Sequence, residues 1–219
     1  MSQDQTAQST GAHSANADTV PTGNTYDKYG SSNPVVRWMM REFKSSVWEL
    51  LDYAGPEKLL DVGCGEGIMA RAIVERYPSV EVTGIDLEDD ELEAHWKGLE
   101  GDRLSFCTGV AESLPFDDDA FDTITSLEVL EHVQDPHASL AEMARVARRK
   151  LVLSVPREPL WRVLNMARGA YLRDLGNTPG HLNHWSRTGF VDFAAQYGRV
   201  IEVRSPLPWT VVLVDVTKL

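Results

Sequence analysis

Along residues 34–155 the apolar positions switch repeatedly between two periods. Val35, Trp38, Met39, Phe43, Val47, Leu50 and Leu51 recur at helical spacing after Pro34, and Gly55-Pro56 closes that segment. Residues 58–62 form a short apolar run that ends in glycines, which predicts a strand. Residues 67–77 read as a helix stopped by Pro78, 80–86 as a strand, and 88–99 as an acidic amphipathic helix. Strands follow at 104–108 and 121–127, then a helix at 136–149 with proline in its first turn, then a strand at 150–155. Strands alternating with helices of this length predict an α/β fold, doubly wound about a mostly parallel sheet with helices on both faces.

After Pro156 the pattern changes. Residues 160–174 look helical, 176–180 are rich in turn residues, and 186–197 read as a helix capped by Ser186. The β-rich runs 200–204 and 209–214 complete a seven-stranded sheet as an antiparallel pair. Residues 1–24 are dominated by Ser, Thr, Gln, Ala and Asn. Such a segment buries too little apolar surface to offset its conformational entropy, so it is expected to be a disordered tail. Residues 25–219 then form one domain, with no internal repeat.

Composition narrows this picture only a little. Hydrophobic content of 42% and charged content of 25% are those of a soluble globular chain. The net charge of −12 argues against broad, sequence-independent binding to nucleic acid, which needs a positive face. Cys64 and Cys107 cannot build a disulfide framework and read as buried free thiols. With no run long enough to span a bilayer and no basic-then-apolar N-terminus, the expected location is the cytoplasm.

The strongest local signal is Leu59-Leu60-Asp61-Val62-Gly63-Cys64-Gly65-Glu66-Gly67, an apolar strand running into a glycine turn that opens a helix. Glycines there let the chain swing sharply and let a ligand lie on bare backbone. Asp86 follows 19 residues after Gly67, at the end of the next strand, where an acid can hold both ribose hydroxyls of a nucleoside. A dinucleotide loop prefers Gly-x-Gly-x-x-Gly beneath a pyrophosphate. Here the spacing is Asp-x-Gly-x-Gly-x-Gly, and Asp61 and Glu66 would repel a pyrophosphate. They suit the ammonium and sulfonium groups of S-adenosyl-L-methionine (SAM), which makes an NAD-dependent dehydrogenase the weaker alternative.

On these residues the chain resembles the class I SAM-dependent methyltransferases over about residues 58–155. The resemblance implies a Rossmann-like methyltransferase fold in which Asp61 anchors the amino-acid end of SAM, Gly63, Cys64 and Gly65 pack against it, and Asp86 with Leu87 holds the ribose. The segment Gly109-Val110-Ala111-Glu112-Ser113-Leu114-Pro115-Phe116 resembles the one that lines the adenine, with Ala111 and Glu112 as its wall. Leu127 closes the donor site. Many relatives carry an acid where Val110 stands, so that contact to the adenine amine is missing here.

After the fourth strand comes Ser126-Leu127-Glu128-Val129-Leu130-Glu131-His132-Val133. If a helical turn starts there, Glu128, Glu131 and His132 share one face. Two carboxylates and an imidazole suit Mg²⁺, Mn²⁺ or a similar divalent cation. A second stretch, His181-Leu182-Asn183-His184-Trp185-Ser186-Arg187, strengthens that reading. The two stretches together resemble the ubiquinone-pathway O-methyltransferases and the small-RNA 3′-terminal 2′-O-methyltransferases. That resemblance implies Glu128, Glu131, His132 and His181 as metal ligands. The alternative is a structural or acid–base role, with His132 or His184 taking the acceptor proton and Glu131 beside it.

Acceptor choice in such a fold falls to segments outside the donor half, here the N-terminal helix and residues 156–187 as a cap. Residues 157–173 carry Arg157, Arg162, Arg168 and Arg173 among Leu160, Trp161, Val163, Leu164, Met166 and Tyr171. Such a basic amphipathic helix either packs on the sheet or meets an anionic membrane surface or lipid-like substrate. Trp38, Trp161, Tyr171 and Trp185 are candidates for an acceptor pocket. The leading expectation is O-methylation of a small hydroxylated acceptor, quinol- or catechol-like. The competing readings are RNA 3′-end methylation, N- or C-methylation of a small metabolite, and a SAM-binding protein without turnover.

Overall fold

The computed structural model describes residues 32–167 and 169–217. The expected tail at 1–24 and the side chain of Arg168 lie outside them. Helix α1 (Pro34–Ala54) starts where Asn33 accepts a hydrogen bond from the Val35 N–H and ends at Gly55, whose φ of 59° supplies the left-handed cap. Strand β1 (Lys58–Val62), α2 (Ile68–Arg76), β2 (Glu81–Asp86), α3 (Asp90–Trp96), β3 (Leu104–Thr108) and β4 (Phe121–Leu127) follow. Helix α4 (Pro136–Val146), β5 (Ala147–Pro156), α5 (Leu160–Ala167), α6 (Arg187–Ala194), β6 (Arg199–Arg204) and β7 (Trp209–Asp215) complete the order, with a 3₁₀ turn at Leu172–Asp174.

The seven strands form one sheet in the order β3-β2-β1-β4-β5-β7-β6. The first five are mutually parallel, and β7 runs antiparallel to both β5 and β6. Alternation along each strand sends side chains to two cores. Leu60, Val62, Ile124, Leu151 and Leu153 pack with Leu140 and Met143 of α4 and Phe190 and Phe193 of α6. Leu59, Val82, Val152, Val211 and Leu213 pack with Phe43, Val47 and Leu50 of α1 and Met69 and Ile73 of α2. Coverage on both faces explains why the central strands read as unbroken apolar runs. The order reverses between β1 and β4, and in such sheets the crevice outside the strands' carboxyl ends at that point receives the ligand.

Four segments differ from the pattern-based reading by more than one residue. Helix α3 covers only Asp90–Trp96, because Asp89 caps it and the Lys97-Gly98 turn ends it. The segment 147–149 is strand rather than helix. Ala147 pairs with Phe121, and Arg149 and Lys150 reach Asp122 and Asp215 across the sheet at 3.2 Å and 2.8 Å. The helix expected over 160–174 stops at Ala167. Gly169 turns left-handed at φ 76° and the chain resumes as the 3₁₀ turn. The last helix ends at Ala194 rather than at 197, while Ser186 caps it as expected by accepting from the Gly189 N–H.

Candidate active site

A cavity of about 410 Å³ opens at the carboxyl ends of β1, β2 and β4. Asp61, Gly63, Cys64, Gly65, Asp86, Leu87, Ala111, Glu112 and Leu127 all line it, so every donor-site residue expected from the sequence is brought to one place. Phe43, Met69, Val129, Val133 and Gln134 line it too. Sequence reading missed these five. Phe43 repeats at ordinary core spacing along α1, and nothing in its pattern separates a cavity wall from a packed core.

The glycine loop is held from behind. Trp96 of α3 donates its indole N–H to the Gly65 carbonyl at 2.8 Å and stacks on Phe106 of β3 at 5.2 Å. A Cβ at Gly67 would lie 2.7 Å from Phe106, and one at Gly63 would lie 2.3 Å from Val129. Those two glycines therefore make room for protein. Gly65 differs: its φ is 53° and nothing lies within 4 Å of where its Cβ would stand. Of the three glycines in this loop, Gly65 is the one that offers bare backbone to open space.

Two carboxylates face that space. Asp61 is 3% exposed and accepts a hydrogen bond from the Thr125 hydroxyl at 2.6 Å. Burial, reinforced by the carboxylate of Asp86 and partly opposed by Thr125, pushes its pKa up to about 7. Asp86 accepts from the Gly65 N–H at 2.6 Å and the Leu87 N–H at 2.8 Å, and burial raises its pKa as well. These bonds fix the carboxylate plane and leave lone pairs for further donors. Two buried acids close together form an electrostatic trough that a cation would fill. Cys64 lies beside them. Its burial and their charges push the thiol up, so it stays protonated, and Cys107 is only half-buried.

Past β4 the chain does not form a helical turn. Glu128 takes a left-handed backbone at φ 61°, and its amide donates to the Ser154 carbonyl. The shared helical face expected for Glu128, Glu131 and His132 is therefore absent, and Glu128 lines the donor cavity instead. Glu131, His132 and His181 do converge, with one ligand-type atom from each within 4.8 Å of the others. Glu131 is 1% exposed. Its carbonyl accepts from the amides of Leu182 and Asn183, and the Asn183 side chain donates to the carbonyls of Leu130 and Val133. That lacing carries His181 to its place from 49 residues along the chain.

His132 Nδ1 lies 3.0 Å from the Gly180 carbonyl. A carbonyl only accepts, so Nδ1 carries the proton and Nε2 is the ring's lone-pair atom. The same ring packs edge-on against His181 at 4.8 Å and lines the donor cavity. His132 thus joins the two features. One carboxylate and two imidazoles suit a divalent cation, and a backbone carbonyl fixing one imidazole is the usual support for such a ligand.

His184 is placed elsewhere. Exposed, it contacts Arg162 at 3.0 Å and Asn177 at 2.7 Å and does not line the donor cavity, and burial with Arg162 lowers its pKa. Of the four aromatics expected near an acceptor, Trp161 alone touches the cluster, stacking on His181 at 5.9 Å. Trp185 packs into the core with Phe190 and Phe193, Trp38 is largely exposed, and Tyr171 sits at the start of the 3₁₀ turn. Among the described residues no helix is long and apolar enough to cross a membrane.

Comparison with known proteins agrees with this geometry. Residues 60–153 match the family model described as "Methyltransferase domain". The demethylmenaquinone methyltransferase of Thermotoga maritima is 34% identical over 125 residues, which cover 57% of this chain and 54% of that protein. The ubiquinone biosynthesis O-methyltransferase of Idiomarina loihiensis is 40% identical over 92 residues, covering 41% and 37% respectively. The chain thus spans about half or less of the length of these curated relatives. Among solved structures, the magnesium protoporphyrin IX methyltransferase of Synechocystis PCC 6803, with SAH bound, superposes with a TM-score of 0.59 at 18% identity, covering 84% of this chain and 89% of that one. The fold is the Rossmann-like fold of class I methyltransferases, and the match to the methyltransferase-domain model falls on residues 60–153 within it.

Proposed function

We propose that the chain transfers a methyl group from SAM to a hydroxyl oxygen of a small quinol- or catechol-like acceptor. The observation that carries the donor half is Asp61, a buried carboxylate whose neighbours are a hydroxyl and a second acid, beside the open face of Gly65. In this reading Asp61 holds the ammonium end of SAM, the open backbone at Gly65 lies along the methionine part, and Asp86 accepts from both ribose hydroxyls. Ala111 and Glu112 flank the adenine. The quinone-pathway relatives motivate the choice of acceptor.

The acceptor oxygen attacks the methyl carbon in line with the carbon–sulfur bond. As the new carbon–oxygen bond forms, the bond to sulfur breaks, neutral S-adenosylhomocysteine leaves, and the hydroxyl proton goes to a base. Glu131, His132 and His181 are the residues that would hold a divalent cation, and a cation there lowers the pKa of a hydroxyl bound to it. Without a cation, His132 at the cavity wall, with Nε2 as its lone-pair atom, is the base that takes the proton, whereas a bound cation would occupy that lone pair. The Gly180 carbonyl orients that ring, and Leu127 and Phe43 stand in the cavity wall.

The test is label transfer from methyl-labelled SAM to a panel of catechols and quinols, with and without a chelator, for the natural chain and Glu131→Gln. Chelator-sensitive O-methylation lost in Glu131→Gln supports the whole reading. Chelator-resistant transfer keeps the methyltransferase and removes the metal. Label that enters only amines, carbon acceptors or RNA in an extract overturns the acceptor.

A further inference from the structure

Helix α5 buries a polar side chain where a surface helix normally buries its apolar stripe. That side chain is Asn165, 4% exposed, whose amide donates to the Gly176 carbonyl at 2.8 Å and the Thr178 hydroxyl at 3.2 Å. One turn earlier on the same helix, Trp161 donates its indole N–H to the same hydroxyl at 2.9 Å. Two donors from α5 thus meet on Thr178. The loop is drawn in tightly, and a Cβ at Gly176 would lie 2.3 Å from the Arg162 carbonyl oxygen, so glycine alone fits there.

Thr178 opens the turn that carries both imidazoles into place. Residues 178–181 read Thr-Pro-Gly-His, and the His181 N–H donates back to the Thr178 carbonyl at 3.1 Å. Proline second, glycine third and a Gly180 φ of 85° fit a type II turn. The Gly180 carbonyl receives the Nδ1–H of His132, and His181 is the last residue of the turn. Trp161 stacks on the His181 ring at 5.9 Å and also packs on Trp209 of β7 at 6.0 Å. Trp209 is 2% exposed, so a buried residue of the sheet backs the indole that holds His181.

We propose that Thr178, held by Asn165 and Trp161, is the positioning residue that sets His132 and His181 beside Glu131. Trp161, Asn165, Thr178 and Gly180 all lie between β5 and α6, so the cap fixes the geometry of a cluster whose other side leaves β4. Neighbours that orient an imidazole ligand typically change metal affinity by about 10–100-fold when they are lost. The proposal rests on the reading of Glu131, His132 and His181 as the acceptor-side cluster, and it concerns their placement with or without a cation.

Imidazole nitrogen NMR spectra of the metal-free full chain near pH 8, where a free imidazole is neutral, and calorimetric Mn²⁺ titrations test it. Thr178→Val keeps the shape of the side chain and removes the acceptor, whereas Thr178→Ser keeps the hydroxyl. The natural chain and Thr178→Ser are expected to hold His132 as the Nδ1–H tautomer. Thr178→Val is expected to show averaged tautomers and Mn²⁺ affinity lowered by about tenfold or more, while calorimetric SAM binding stays unchanged and reports an intact fold. A single His132 tautomer in Thr178→Val overturns the proposal, as does Mn²⁺ affinity equal to that of a natural chain that binds the ion. Averaged tautomers in the natural chain, or a loss in Thr178→Ser as large as in Thr178→Val, overturn it too. If the natural chain binds no Mn²⁺ while the tautomers follow the expected pattern, the cation reading fails and the positioning role stands.

Discussion

Replacing Asp61 by Asn separates stability from donor binding in opposite directions. An unfolded aspartate ionises near 3.8, whereas burial pushes Asp61 in the folded chain up to about 7. Below pH 3.8 both states are protonated and the group has no effect. Between these values the unfolded state gives up a proton that the folded state keeps, so stability falls as pH rises, and it levels off above about 7. At about 1.36 kcal/mol per pH unit, the folded chain without ligand forgoes on the order of 4 kcal/mol at pH 8. Asn mimics the neutral form and keeps the bond from Thr125, but it buries an amide NH₂ that needs a partner. The net gain expected at pH 8 is about 2–4 kcal/mol, read as a rise in melting temperature on the order of 5–10 °C. At pH 4 the gain should nearly vanish.

Donor affinity should move the other way. SAM's ammonium group favours the ionised carboxylate, so the natural chain should bind SAM about tenfold more weakly at pH 6 than at pH 8. Asp61→Asn should bind at least about tenfold more weakly at pH 8, since hydrogen bonds to a charged partner contribute about 1.5–3 kcal/mol, and it should lose most of the pH dependence. Thermal melts and calorimetric titrations at pH 4, 6 and 8 measure both effects. A variant less stable than the natural chain at pH 8, with SAM affinity within about twofold, would refute the reasoning.

Gly67→Ala should lower stability by about 1–3 kcal/mol, because it forces a Cβ at left-handed backbone against Phe106; thermal melts read this directly. Gly65→Ala meets no protein atom, so it should destabilise by only about 1 kcal/mol yet weaken SAM binding by calorimetry. Glu131→Gln should leave SAM affinity unchanged while it lowers the rate of labelled methyl transfer by about a hundredfold or more. His184→Ala should retain turnover within about threefold, since its side chain is held by Arg162 and Asn177 outside the donor cavity.

The parallel half of the sheet was legible because its central strands are buried on both faces. Lys58–Val62 and Phe121–Leu127 therefore stand as short apolar runs between helical stretches, and their bounds agree with the structure. That Asp61, Gly63, Gly65 and Asp86 share one cavity was legible because one strand, one glycine turn and the next strand's acid are local in sequence. What failed was set by tertiary contacts. Residues 147–150 have no apolar period of their own, and their strand form depends on Phe121, Asp122 and Asp215.

Glu128, Glu131 and His132 have helical spacing, but the left-handed backbone at Glu128 removes the first from the cluster. That turn is fixed by its bond to Ser154, which no local pattern announces. Gly63 was read as a ligand contact, whereas it also yields space to Val129. The cap was read with the correct composition, but the orientation of α5 follows from the two bonds that bury Asn165.

The most direct test of the account is a calorimetric titration of SAM into the full chain and into Asp86→Ala at pH 8. The account predicts saturable one-to-one binding to the natural chain and a loss of at least about tenfold in the variant, as two hydrogen bonds to a charged group disappear. No binding to the natural chain, or equal binding to both, would contradict the donor site on which every later step depends.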